Sequence, residues 1–512
     1  MTRHRHADEP RPRSVIATPG VVAAGHQDTV DAAITLLEAG GNAYDATLAA
    51  GFAAAVAEPC LSSLGGGGFL LARPAMGEPV LFDFFVDTPG RGRERQEPAP
   101  PLTPVTLTFG GAQQVFHVGD ASIASPGCLA GYLHVHRRLG RAPLAEVVAP
   151  ARRLAEAGAV LGADQASVVR LLEPIFSLTA EARELFVPPT RPFADDDRVQ
   201  NPALAAFLAA VADGEVTGFG DPDLAREIGA QSAAHGGVLT AEDLRTYRVH
   251  EHDPLALAYG DATILTNPEP SYGGRLITRA LRLLEREGLA GTPGSGARLS
   301  QLAHVLAEVS AGHAGGDGGV RTARGTTHVS VADAAGNLAS MTTSNGSGSG
   351  ITLGATGVLA NNIMGETDLH PEGFHRAPAG MRVGSMMAPT VLERAGRPAV
   401  ALGSGGSERI RSALTQVLVA LVDDGSSLEE AVMAPRIHWD GEHVQVEPGF
   451  DEAAVDVLAE AWPVNRWEVS DLYFGGVHAV ATDGSRVGDP RRGGRTGIVT
   501  RGARHRGPGV AP

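Results

Sequence analysis

The chain has 512 residues, 43% of them hydrophobic and 20% charged, the balance of a globular protein with a large core. Its formal net charge of −16 argues against nucleic acid or an anionic membrane as partner. All 42 basic residues are arginine, which excludes a Walker-type phosphate loop, a pyridoxal Schiff base and a Ser-Lys dyad, since each needs a lysine amine. The two cysteines, Cys60 and Cys128, cannot make a zinc site alone and are expected to pack as small hydrophobes. Met1 to Arg13 is polar and lacks the roughly 7–15-residue apolar core of a secretory signal, so a disordered tail and a cytoplasmic location are expected. No run of about 18 apolar residues occurs, and no membrane-spanning helix is expected.

In chain order, Val15 to Ala24 reads as a strand. A helix follows, capped by Asp28 or Thr29, striped by Ala32, Ala33, Leu36 and Leu37, and ended by Gly40-Gly41. The next helix, about Tyr44 to Val56, is alanine-rich on almost every face and should be buried. Four glycines, Gly65 to Gly68, lack the spacing or lysine of a phosphate loop and read as a turn where backbones approach closely. Strands are expected at Phe69–Arg73 and Val80–Val86, two amphipathic helices between Gly127 and Gly158, and a loop at Arg191–Val199. Helices follow at Pro202–Ala212, at Asp221–His235 with Asp221 as cap, after the capping signal Thr240 to Leu244, at Leu276–Glu287 and at Leu299–Ala311. Gly315 to Gly319 reads as a flexible approach to what comes next. Beyond it, strands are expected at Gly357–Asn361, Pro389–Glu393, Ala399–Leu402 and Gly475–Ala481, with helices at Arg409–Val422 and Glu452–Ala461, and a tail from Ala503. His250-Glu251-His252 lacks zinc-binding spacing and should lie on a solvated strand edge, so no metal is expected.

The stretch from Gly325 to Asn345 is the most informative. Alternation of apolar and small polar residues on both sides of Gly336-Asn337 predicts a β-hairpin. With Val331 facing Leu338, Thr326 lies beside Thr343 and within reach of Ser344. A hydroxyl so placed suits a nucleophile that becomes a new N-terminus: after cleavage of Gly325–Thr326, the freed α-amine serves as base for its own hydroxyl. Glycine at 325 leaves the scissile carbonyl uncrowded and permits strained backbone angles. The turn Gly403-Ser404-Gly405-Gly406-Ser407, at a helix N-terminus, can aim amides outward to bind a phosphate or to stabilise a developing oxyanion.

These pieces resemble the γ-glutamyltranspeptidases, N-terminal-nucleophile hydrolases made as one precursor and cut into two subunits. The similarity runs from about Val15 to Val499. It is carried by Glu38 to Ala43, Leu64 to Phe69, Thr326 to Val331, Gly336-Asn337, Ser404 to Ser407 with Arg409-Ile410, and Asp489 to Gly494. The resemblance implies an α+β fold, a four-layer αββα sandwich. Residues 1–325 would form the large subunit and 326–512 the small one, both in one structural domain and associated after cleavage. It implies Thr326 as nucleophile, Ser344 as its supporting hydroxyl, and Gly405 and Gly406 as oxyanion donors, with Ser407 holding one of those amides if the pairing shifts by one. No cofactor is implied, and the partner is a small-molecule amide or γ-glutamyl substrate.

Several positions depart from the family pattern. Phe85 stands where members have an arginine that grips the donor's α-carboxylate. Paired serines become Ser385-Met386, and the donor-amine contacts read Ile363 and Glu366; Asn345 completes the expected substrate contacts. The loop after Ser344 and the segment before Thr326 are both shorter than usual. The cutting machinery is thus complete, whereas the glutamyl pocket is altered. The leading expectation is a self-processing γ-glutamyltranspeptidase-like amidohydrolase or acyltransferase. The alternatives are an acylase for a glutaryl or apolar acyl group, and an inactive relic of the fold.

Overall fold

The computed structural model describes residues 20–93, 100–109, 112–311 and 325–500. The tails expected at 1–13 and 503–512, the start of the first strand at Val15, and Gly315 to Gly319 lie outside them.

β1 (Val21–Ala24) enters α1 (Gln27–Glu38) through His26, not Asp28 or Thr29: the His26 ring accepts from the Asp28 amide at 3.1 Å. Thr29 is unavailable as a cap because its hydroxyl is committed to Glu58. α2 (Ala43–Ala57) starts at a reciprocal Asn42–Asp45 capping box and is buried at every position, as its alanine content requires. β2 (Gly67–Arg73) and β3 (Val80–Phe84) follow. In the glycine run, a Cβ on Gly65 would sit 2.3 Å from the Leu359 carbonyl oxygen, and one on Gly66 2.3 Å from that of Ser344. Close backbone approach is therefore what those two glycines permit.

Farther on come β4 (His250–His252), β5 (Leu255–Tyr259), β6 (Ala262–Thr266), α3 (Tyr272–Glu287) and α4 (Gly296–Ala311). The C-terminal part supplies β7 (Gly325–Ala332), β8 (Leu338–Gly346), β9 (Thr390–Arg394), β10 (Val400–Gly405) and α5 (Arg409–Val422). It ends with β11 (Gly476–Ala481), β12 (Arg486–Val487) and β13 (Arg495–Ile498). Among the described residues these strands make a seven-stranded sheet, β13-β1-β7-β8-β2-β3-β4, and a six-stranded one, β12-β11-β10-β9-β6-β5. Every pairing within them is antiparallel.

Strand alternation sorts the side chains of the first sheet between two cores. Val22, Ala24, Leu70, Phe82, Val329 and Val331 pack with α1 and α2, whereas Val21, Ala23, Phe69, Leu71 and Leu81 join residues of the second sheet, α3, α4 and α5. Polar contacts cross between the sheets as well: Ser330 Oγ donates to the His478 carbonyl at 3.1 Å and Ser340 Oγ to that of Leu402 at 2.9 Å. Cys60 and Cys128 are buried free thiols, and β4 lies at the sheet edge. No described helix is long and apolar enough to cross a membrane.

The strand expected at Gly357–Asn361 is instead a loop with isolated bridges, Thr352 to Leu359 and Gly65 to Ala360. Asn361 pins it, its side-chain amide donating to the carbonyls of Gly65 and Ala124 at 2.8 and 3.0 Å. Such a side-chain anchor satisfies backbone groups that a ladder would otherwise serve.

Candidate active site

The β7–β8 hairpin is offset by one residue from the predicted register: Val331 faces Ala339, and Thr326 faces Ser344 directly. The turn is responsible. It spans Asp333 to Asn337, and the Asp333 carboxylate accepts from the amides of Ala335 and Asn337 at 2.9 and 3.0 Å and from the Asn337 side chain at 2.7 Å. The same carboxylate takes the Ala43 amide at 3.0 Å, which ties the turn to the start of α2. Thr343, expected beside Thr326, therefore points to the opposite face, where its hydroxyl meets Ser62 Oγ at 2.9 Å.

At the other end of the hairpin the register shifts between Gly325 and Thr326: Gly325 faces Gly346, which leaves Asn345 as an extra residue. A bulge of this kind re-aims the side chains beside it. Ser344 Oγ donates to the Gly325 carbonyl at 2.6 Å and accepts the Gly346 amide at 3.1 Å. Thr326 Oγ1 donates to the same Ser344 oxygen across 3.4 Å. Gly325 is not among the glycines with left-handed φ, contrary to the strained backbone expected there. A Cβ at 325 would instead lie 2.1 Å from the Cys60 carbonyl oxygen and 2.2 Å from that of Gly346, so glycine is required by crowding.

From the second sheet, Gly405 passes so close that a Cβ on it would be 2.4 Å from the Thr326 carbonyl oxygen. Gly406 follows with φ +120° and Ser407 with φ +53°, a left-handed angle rare for a serine. Ser407 Oγ donates to Asp368 Oδ2 at 3.0 Å, so this turn is held from the loop opposite. Arg492 Nη1 reaches the Thr326 carbonyl at 3.5 Å, and burial, with Arg409 nearby, pushes its guanidinium down to about 10. Its position in Asp489 to Gly494 belonged to the matching motif, but spacing alone assigned it no role. His328 lies between the sheets with Nδ1 on Thr342 Oγ1 at 2.8 Å and Nε2 on Ser330 Oγ at 2.9 Å. Burial, and then His478 nearby, holds it well below the ordinary histidine range, so it is a neutral structural imidazole.

A cavity of about 40 Å³ opens in front of Thr326 and Ser344. Of the expected substrate contacts, Phe85, Glu366, Ser385, Met386 and Ser407 all line it, joined by Asp368 and by apolar residues that include Ile363. Gly405 and Gly406 are not among its lining residues, and neither is Asn345, which lies in the bulge. Among the described residues no arginine lines it, and the charged ones that do are Glu366 and Asp368. Phe85 is buried against Phe69, ring centroids 5.7 Å apart. Two nearby arginines, Arg376 and Arg382, are candidates to replace the missing one, and Arg382 is committed elsewhere. It bonds to the Phe85 carbonyl, to Tyr247 Oη at 2.7 Å and to the Arg248 carbonyl at 2.7 Å, and it sits 3.5 Å from Asp83 and 3.3 Å from Asp87. Nor is Arg376 part of the lining.

A family model described as gamma-glutamyltranspeptidase matches residues 29–315 and 309–499. The acylase ACY 1 proenzyme of Pseudomonas sp. (strain SE83) is 31% identical over 522 residues, covering 92% of this chain and 91% of that one. The glutathione hydrolase proenzyme of Escherichia coli (strain K12) is 26% identical over 504 residues, covering 87% and 85%. Among solved structures, the cephalosporin acylase from Bacillus halodurans shares the fold, with a TM-score of 0.80 at 22% identity over 97% of this chain and 99% of that one. The chain is thus an enzyme of the N-terminal-nucleophile hydrolase class. It belongs to the γ-glutamyltranspeptidase family, as an amidohydrolase or acyltransferase of that kind.

Proposed function

We propose that the chain is a precursor that cuts itself at Gly325–Thr326 and then uses Thr326 to attack amides of acyl groups that lack a free α-amino acid head. The observation that carries this is Ser344, whose hydroxyl sits 2.6 Å from the Gly325 carbonyl oxygen and beside the Thr326 hydroxyl. In the cut, Thr326 Oγ1 adds to the Gly325 carbonyl carbon, the C–N bond breaks, and the amide nitrogen takes a proton. Water then hydrolyses the resulting ester, leaving the Gly325 carboxylate and the Thr326 α-amine. In turnover the α-amine takes the hydroxyl proton as Oγ1 attacks the substrate carbonyl. The proton passes to the leaving amine, and water or another amine resolves the acyl-enzyme. Gly405 and Gly406, at the turn before α5, supply amides toward the oxyanion.

The same reading takes the architecture as four layers, αββα. In its support, α1 and α2 pack on one face of the first sheet, and α3 and α5 share the core of the second. The pieces 1–325 and 326–512 would stay together as one structural domain.

Intact mass of the purified protein tests the cut: two co-purifying chains, 1–325 and 326–512, are expected, and a wild-type sample still full-length after prolonged incubation sinks the proposal. Ser344→Ala should fold and lower turnover by about 10²–10⁴-fold, the usual worth of acid–base support in the transition state. An unchanged steady-state rate would remove Ser344 from the reaction.

A further inference from the structure

Glu58 ends α2 and has no part in the steps above, yet its carboxyl is wholly buried beside the strand that carries the nucleophile. Its two oxygens are both used. Oε1 accepts the Thr29 hydroxyl from α1 at 2.7 Å, and Oε2 accepts the Thr327 hydroxyl from β7 at 2.6 Å. Burial pushes the carboxyl up, and the Thr327 bond pulls the other way. The chain around Glu58 is built to admit it: a Cβ on Gly25 would lie 2.5 Å from Glu58 Oε2. The residues after it wrap the same strand end, with the Cys60 carbonyl against Gly325 and Ser62 on Thr343.

We propose that Glu58 is a positioning residue for the nucleophile: it clamps Thr327 from the helix side and so holds Thr326 against Ser344 once the strand has been cut. This rests on Thr326 being the nucleophile. Before the cut, Thr326 is tethered by chain on both sides. Afterwards it is a terminus, and termini fray unless something ties them down. Successive side chains of a strand point to opposite faces, so Thr327 turns toward α2 while Thr326 turns toward the cavity. A bond to Thr327 therefore fixes the backbone that aims Thr326 without occupying substrate space. A displacement of about 1 Å at a reacting group lowers rates by up to roughly 100-fold.

Thr327→Val removes the hydroxyl but keeps the β-branched shape suited to a strand. It is expected to fold, to be cut, and to lose about 10- to 100-fold in kcat with KM unchanged. Glu58→Gln still offers an oxygen to one hydroxyl and an N–H to the other, and should retain most of kcat. Thr29→Val deletes the equal bond on the side away from β7 and should lower Tm without the loss in kcat. Wild-type kcat in Thr327→Val, or an equal fall in Thr29→Val, would overturn the proposal and leave Glu58 as structural support. Failure of the nucleophile reading shows separately, as a wild-type chain never cut at Gly325–Thr326.

Discussion

Thr326→Ala is expected to remain a single uncut chain of 512 residues with no measurable amidase activity. In the proposed scheme both steps use the same oxygen, so one substitution should remove both, and loss of the nucleophile in acyl transfer typically lowers kcat on the order of 10⁶-fold. The change is small in structural terms. Thr326 is buried, but among the described residues its hydroxyl makes only the long 3.4 Å contact to Ser344, and Ser344 keeps its bonds to Gly325 and Gly346. The fold should therefore survive, and the variant should give the same circular dichroism spectrum as an uncut wild-type precursor. Thr326→Ser keeps the oxygen but loses the methyl group that restricts its rotamer, and is expected to process slowly. Cleavage in Thr326→Ala at the same bond would place the nucleophile elsewhere.

The second large effect concerns the acyl group. An arginine on a carboxylate makes charge-assisted, often bidentate, hydrogen bonds worth roughly 1.5–3 kcal/mol each. Without it, binding of a γ-glutamyl donor should weaken by about 10- to 100-fold or more. The cavity goes further than the loss of one arginine. Phe85, Met386 and Ile363 present apolar surface, and among the described residues its ionisable side chains are the carboxylates Glu366 and Asp368. Arg382 lies behind the Phe85 backbone, held by Asp83 and Asp87, and cannot turn inward without leaving both. A γ-glutamyl anilide is therefore expected to give a lower kcat/KM than a simple acyl anilide with the same leaving group. A glutaryl anilide, with a carboxylate at its far end, separates tolerance of that group from tolerance of the α-amino acid head. A clearly higher kcat/KM for the glutamyl compound would contradict this reading of the pocket.

Local chemistry was enough to read the helices α1, α2 and α5 and the hairpin, each of which depends on a period or a turn signal within about ten neighbouring residues. Phe85, Glu366, Ser385 and Met386, which line the cavity, were legible only through the family resemblance. The hairpin register was missed by one because the turn length depends on Asp333 also serving the Ala43 amide, 290 residues away in the chain. Glu58 and Arg492 escaped for a similar reason. A glutamate before a proline and an arginine in a glycine-rich turn acquire meaning only when folding brings them to Thr327 and Thr326, 269 and 166 residues distant. The helix cap at His26 could not be foreseen while Thr29 was thought free to serve, and its true partner is again remote. Long-range hydrogen bonding, not local propensity, decided each of these.

The order of the seven-stranded sheet has a consequence for how the protein can be made. Strands from before and after Gly325 interleave: β1 lies between β13 and β7, β8 pairs with β2, and in the other sheet β6 pairs with β9. As one chain, these pairings are intramolecular and independent of concentration. Once the bond is cut, the same sheets belong to two molecules, and assembling them from the unfolded state becomes a second-order encounter between partners that each expose open strand edges. The cut would thus make refolding depend on protein concentration, with longevity set increasingly by the rate of unfolding. Diluted from denaturant, uncut Thr326→Ala should recover its structure to the same extent at every protein concentration. The cleaved enzyme should recover less as it is diluted, and at high concentration should lose material to aggregation.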